Sequence, residues 1–238
     1  MTVSLPNVVL ITGTSTEVGK TITTAAIACA LRARGTDVVV VKVAQTGVEP
    51  DEDGDAAIVE RLTSGLSTGS APTRELLRLP EPLAPDVAAR RAGVTIPTVG
   101  DHVRAISDLA RAHSIVLVEG SGGLLVHLDA RGGTLADVGV GLRYKGVSCG
   151  TVLVAAAGLG TLNHSALTAE ALRARHIPLL GVVIGSWPEQ PDLAEECNVA
   201  DLPRVTGTTL WGRIPAGAGA LAPADFAASA TTWLPTLV

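Results

Sequence analysis

The stretch Gly13-Thr14-Ser15-Thr16-Glu17-Val18-Gly19-Lys20-Thr21 carries the residue types that hold a polyphosphate. Glycines let backbone approach an anion closely, and amides left free at a helix start point at it, aided by the helix dipole. Lys20 supplies a point charge for β- and γ-phosphates, and the Thr21 hydroxyl is a ligand for Mg2+. The common spacing puts four residues between the two glycines; here there are five. The surroundings decide for phosphate. An apolar run, Val8 to Thr12, precedes the loop, and a helical pattern from Lys20 to Arg34 follows it, with Gly35 as its cap.

Three more charged side chains sit where chemistry would use them. Lys42 ends a Val-rich run, Asp37 to Val43, and is followed by Gln45, Thr46 and Gly47. Burying such a lysine is costly unless an anion meets it. Asp55 closes an acidic turn, Glu49 to Asp55, at the N-cap of a helix over residues 56–62; from there a carboxylate also reaches Mg2+ across the crevice. Glu119 ends the apolar strand Ile115-Val116-Leu117-Val118 and runs into Gly120-Ser121-Gly122-Gly123, the layout of a carboxylate that helps a metal beside a phosphate loop.

The elements that must position them are those of an α/β chain. Strand, helix and strand within about 30 residues make a βαβ unit, and ligands of open α/β sheets bind beyond the carboxyl ends of the strands. Residues 63–80 read as a surface loop, Pro80 to Pro85 as a stiff connector, and 86–91 and 99–113 as helices. A short helix begins near Gly133. Strands follow, centred on 151–154 and over 179–186, with a weaker one over 209–215. A helix runs from the turn after the first of these to about Arg175, and another over 223–234. His164, just past that turn, reads as a local hydrogen-bonding or capping histidine. No repeat, low-complexity tract or linker divides the chain, so residues 1–238 are expected to form a single domain.

Composition sets the limits. Hydrophobic residues are 47% and aromatics 2%, so the core is built from Val, Leu, Ile and Ala. The net charge of −5 with no basic stripe disfavours nucleic acid. Mean hydropathy is positive, yet no apolar run reaches the roughly 18 residues of a membrane span. The N-terminus lacks a basic stretch before its apolar run and is not expected to be a signal peptide. Cys29, Cys149 and Cys197 are scattered, which disfavours a zinc site and fits a reducing cytoplasm.

With these pieces placed, the chain resembles the dethiobiotin synthetase family. The motifs are Gly13-Thr14-x-Thr16-x-Val18-Gly19-Lys20-Thr21, Lys42-x-x-Gln45-Thr46-Gly47, Asp55, Val118-Glu119-Gly120-Ser121-Gly122-Gly123 and Gly160-Thr161-Leu162-Asn163-His164, in order along nearly the whole chain. The five-residue spacing is the family's own form. The resemblance implies a doubly wound, mostly parallel sheet with helices on both faces, similar to P-loop NTPases. It implies an ATP-dependent closure of a cyclic urea from 7,8-diaminononanoate and CO2, through a carbamate and a carbamic–phosphoric anhydride, releasing ADP and phosphate. Nucleotide contacts are then expected from Thr16, Glu17, Val18, Gly19, Lys20, Thr21, Ile22, Asp55, Glu119, Gly120, Ser121, Gly122, Gly185, Ser186, Ile214, Pro215 and Ala216. Mg2+ falls to Thr21, Asp55 and Glu119, and catalysis to Lys20 and Lys42. Thr46 faces the carbamate or amines, while Gly160, Thr161, Leu162 and Asn163 hold the substrate carboxylate from the partner subunit of a homodimer.

The chain departs from the family pattern in three places. Val43 replaces a proline after Lys42. Gly185-Ser186 stands where an asparagine reads adenine, so other nucleoside triphosphates are expected to serve. The stretch Gly141 to Gly150 is longer and more polar than the family leads one to expect. Two further readings compete. A corrin-amidating ligase shares the fold but needs a fused glutaminase domain, for which 238 residues leave no room. A partitioning or septum-placement switch ATPase carries an extra lysine in its phosphate loop and often a basic amphipathic tail helix; this loop and the tail Ala227 to Leu234 have neither.

Overall fold

Along β1 (Val8–Gly13) the side chains alternate, and both faces are covered. Val9 and Ile11 enter one apolar layer, Val8 and Leu10 the other. That is the pattern of a strand buried inside a parallel sheet. The computed structural model describes residues 4–237. After β1 come α1 (Lys20–Arg32), β2 (Val38–Lys42), β3 (Gln45–Thr46), α2 (Asp55–Thr63), β4 (Thr73–Glu75) and β5 (Arg78–Leu79). Then follow α3 (Pro85–Ala92), α4 (Val99–Ala112), β6 (Ile115–Gly123), α5 (Leu135–Tyr144) and β7 (Cys149–Ala155). The chain continues through α6 (Thr161–Ala174), β8 (Leu179–Trp187), α7 (Leu193–Thr206), β9 (Leu210–Pro215) and α8 (Pro223–Trp233).

Seven strands form one sheet in the order β4-β2-β6-β1-β7-β8-β9, all pairs parallel, and β3 and β5 form a second, two-stranded sheet. One apolar layer joins the main sheet to α1, α2 and α8 through Ile27, Leu62 and Phe226. The opposite layer joins it to α4 and α5 through Ile106, Leu135 and Leu142. The class is the α/β fold expected. Because β2, β6 and β1 are neighbours, their carboxyl ends open on one side, and the loops that follow them share one crevice.

Several local expectations are corrected. α1 ends at Arg32, two residues before the expected Arg34. Gly35 closes it as expected: at φ +80° it lets Thr36 N donate to Leu31 O at 3.2 Å and donates its own N–H to Arg32 O at 2.9 Å. Residues 63–80 are not wholly loop, since they contain β4 and β5. Asp55 is the first helical residue of α2, and Gly54 occupies the N-cap. The stretch 141–150 is the last turn of α5, a turn at Gly146 (φ +77°) and the start of β7, with Tyr144 93% exposed. α7 has no counterpart in the sequence reading.

Candidate active site

The phosphate loop folds back on the strand that launches it. A Cβ on Gly13 would lie 2.6 Å from the Ser15 carbonyl, so only glycine fits. Glu17 (φ +57°) and Gly19 (φ +89°) both take left-handed backbone, and such alternation turns successive amides toward a common concavity. Gly19 is the N-cap of α1 and gives it no side-chain cap. The first-turn amides are therefore left for an anion. Lys20 arches over the loop, its Nζ donating to Ser15 O at 3.0 Å. Burial, and then the nearby Lys42 charge, pull the Lys20 pKa below the ordinary lysine value.

Opposite the loop, register does the positioning. Lys42 on β2 and Glu119 on β6 are Cα partners across the parallel pair, so their side chains leave the same face. Lys42 Nζ lies 2.8 Å from Glu119 Oε1 and 2.5 Å from Asp55 Oδ2, and it donates to Gly120 O at 3.3 Å. Glu119 is 1% exposed and Lys42 6%. Thr21 Oγ1 donates to Glu119 Oε1 and Thr24 Oγ1 to Oε2, each at 2.9 Å. Burial alone would lower the Lys42 pKa, but the charges of Glu119 and Asp55 outweigh it and hold the value above the ordinary range. Burial would raise that of Asp55, yet Lys42 draws it below the ordinary carboxylate value. Lys42 thus meets the anionic partners that its burial requires, and Glu119 is held by the protein and not by solvent.

These groups border a cleft of about 510 Å3. Thr16, Glu17, Gly19, Lys20, Thr21, Ile22, Lys42, Thr46, Asp55, Glu119, Ser121 and Gly122 all line it, and so does Gln45. Val18 is buried beneath the loop, and Gly120 offers its carbonyl to Lys42. Gly185 packs against the loop from β8: a Cβ there would lie 2.1 Å from Val18 O, and one on Gly19 would lie 2.2 Å from Gly185 O. Ser186, Pro215 and Ala216 are exposed at the ends of β8 and β9, Ile214 is buried, and none of them lines the cleft. Gly160, Thr161, Leu162 and Asn163 form the start of α6, and none of them lines it either. His164 is exposed and its ring makes no hydrogen bond among the described residues; it borders a shallow, largely apolar hollow with Leu125 and Leu167 instead of acting as a cap. Thr24 is a site contact that the sequence reading missed. Its signal was its place one helical turn after Lys20, on the face turned to the sheet.

A free-amide loop, two lysines, a hydroxyl and two carboxylates around one cleft at the end of a parallel sheet define a P-loop nucleotide-binding protein. A family model described as an AAA domain matches residues 7–221. Over 230 residues the chain is 56% identical to the ATP-dependent dethiobiotin synthetase BioD of Streptomyces avermitilis, covering 96% of this chain and 92% of that protein. It is 51% identical to the protein of the same name from Rhodococcus jostii, covering 95% of this chain and 94% of that one. The chain belongs to the ATP-dependent dethiobiotin synthetase family, whose members are ATP-dependent ligases. Solved structures share the fold at lower identity. The cell division ATPase MinD of Pyrococcus furiosus matches with TM-score 0.60 and 15% identity, covering 98% of this chain and 100% of that one. A ParA family ATPase of Chlorobium tepidum matches with TM-score 0.55 and 14% identity, covering 98% and 95%.

Proposed function

We propose that the chain, as one P-loop α/β domain, closes the cyclic urea of dethiobiotin from 7,8-diaminononanoate, CO2 and a nucleoside triphosphate. The single observation that carries this reading is the convergence of Lys20, Lys42, Asp55 and Glu119 on one cleft beside the phosphate loop. The substrates bring a carbamate and a triphosphate together, so positive charge and positioning are what the reaction needs most.

Loop amides and Lys20 hold the transferring phosphoryl group. Lys42 faces the carbamate, whose oxygen attacks the γ-phosphorus while ADP leaves. Thr46, at the cleft wall, hydrogen-bonds the carbamate or the amines. The second amine then attacks the carbamoyl carbon of the mixed anhydride, and phosphate departs with the bridging oxygen. Thr21, Asp55 and Glu119 form an all-oxygen donor set suited to Mg2+, and Lys42 already holds both carboxylates as a cation would. Among the described residues no cluster of three His, Cys, Asp or Glu side chains occurs, so this chain would supply only part of a metal's ligands. Held by Thr21, Asp55 and Glu119, a Mg2+ ion would supply positive charge beside the transferring phosphoryl group.

The start of α6 at Gly160 to Asn163 is the substrate-carboxylate site of a partner subunit. Exposed Leu125, Leu159 and Leu167, close to that helix, support a homodimer. A glycine at 185 provides no side chain to read adenine, which supports use of other nucleotides. Free thiols at Cys29, Cys149 and Cys197 fit a reducing cytoplasm, and no described helix is long and apolar enough to cross a membrane. The test supplies diaminononanoate, bicarbonate, Mg2+ and each nucleotide in turn and follows dethiobiotin by mass. Product with at least one nucleotide is expected. Nucleotide hydrolysis without product would favour a switch ATPase.

A further inference from the structure

α2 starts on a residue that cannot cap it. Gly54 (φ −97°, ψ −171°) has the backbone of an N-cap but no side chain. Three other helices carry caps of their own: Thr98 with Asp101 in α4, Thr134 with Asp137 in α5, and Asp192 with Glu195 in α7. In each, the acid of the first turn bends back onto backbone amides. In α2 the acceptor comes from outside. The Asp55 amide donates to Gln45 Oε1 at 2.9 Å, and Gln45 Nε2 donates to Thr46 O at 3.3 Å.

Gln45 is itself firmly held. Its side chain is buried, its backbone N–H donates to Leu77 O at 2.8 Å, and it pairs with Arg78 across the two-stranded sheet. Arg78 in turn donates to Glu49 O and Glu52 O at 2.8 and 2.6 Å, gripping the acidic loop that leads into α2. Gly54 leaves the space: a Cβ there would lie 2.9 Å from Gln45 Oε1. Relieved of capping, the Asp55 carboxylate turns into the cleft, 2.5 Å from Lys42 Nζ.

We infer that Gln45 is a positioning residue for the reaction: its carboxamide caps α2 from β3 and so presents Asp55 to Lys42 and to the metal–nucleotide. This rests on the reading of Asp55 as a metal-holding group. Calorimetry of ADP binding with and without Mg2+ tests it on wild type, Gln45→Leu, and Gln45→Ala combined with Gly54→Ser. Leu keeps bulk without an acceptor, and Met takes its place should that variant not fold. The double variant moves the cap to position 54: the shortened side chain vacates the Gln45 side of that space, and the flexible end of Arg78, 2.9 Å from the added Cβ, has to shift. Gln45→Leu is expected to lose about tenfold of the Mg2+-dependent affinity with metal-free ADP binding unchanged, and the double variant to recover it to within about threefold. Wild-type affinity in Gln45→Leu, an equal loss with and without Mg2+, or no recovery in the double variant would overturn the role of Gln45. If wild type itself bound ADP no better with Mg2+, the metal reading of Asp55 would fail first, and this inference with it.

Discussion

Lys42 and Glu119 face each other across neighbouring parallel strands, both nearly buried, with 2.8 Å between ammonium and carboxylate. Asp55 closes on the same ammonium from α2 at 2.5 Å. One lysine thus binds three separate elements together at the cleft floor.

Replacing Lys42 by Gln should abolish diamine- and bicarbonate-dependent phosphate release, with a loss on the order of 100-fold or more. Breaking a buried charge pair should also destabilise the ligand-free protein by about 3 kcal/mol. Added Mg2+ should raise the melting temperature of Lys42→Gln more than that of wild type, because the metal takes over the two unpaired carboxylates. An equal rise in both would separate Lys42 from the metal groups.

Stability should depend on pH through the same pair. The folded pKa of Asp55 lies below its ordinary 3.8, so its contribution is intact above that value and is lost as pH falls through the folded one. The folded pKa of Lys42 lies above 10.5, so its contribution is intact below 10.5 and is lost as pH rises through the folded value. Urea unfolding of wild type and Asp55→Asn should show a stability gap at neutral pH that narrows as pH falls below 3.8. A gap constant across that window would detach Asp55 from Lys42.

Gly185 cannot be replaced by asparagine without moving the phosphate loop. Its added Cβ would meet Val18 O at 2.1 Å and Val154 Cγ1 at 2.5 Å. Gly185→Ala should therefore cost about 1–3 kcal/mol and weaken nucleotide binding. Thermal unfolding and nucleotide titration measure the two effects. An unchanged variant would mean that the loop and β8 separate easily.

Thiol reactivity should divide the three cysteines. Burial pushes the Cys29 and Cys149 thiols up to about 12, whereas Cys197 is exposed. A thiolate is the reactive form. An aromatic disulfide reagent should modify one thiol in native protein and all three after unfolding.

Much of this site was legible in the sequence because its signals are local. A Gly-rich turn between an apolar strand and a helix needs no distant partner to be read. Lys42 and Glu119 each end an apolar run, and a parallel sheet brings such ends together. What escaped depends on contacts in space or on weak periodicity. β3 and β5 are two residues each, too short for any alternation to show. Gln45 caps a helix ten residues away, a job no spacing rule assigns to it. α7 buries only Asn198, Leu202 and Thr206 and carries Pro203 inside, so its apolar face is faint, although the Asp192–Glu195 capping box marked its start.

The oxygen path tests the account most directly. The reaction runs with freshly dissolved C18O2, diaminononanoate and nucleotide, for less time than CO2 takes to exchange with water. If a carbamate held near Lys42 attacks the γ-phosphorus, the released phosphate gains one 18O from CO2, and Lys42→Gln forms no labelled phosphate. Wild-type dethiobiotin accompanied by unlabelled phosphate would contradict it.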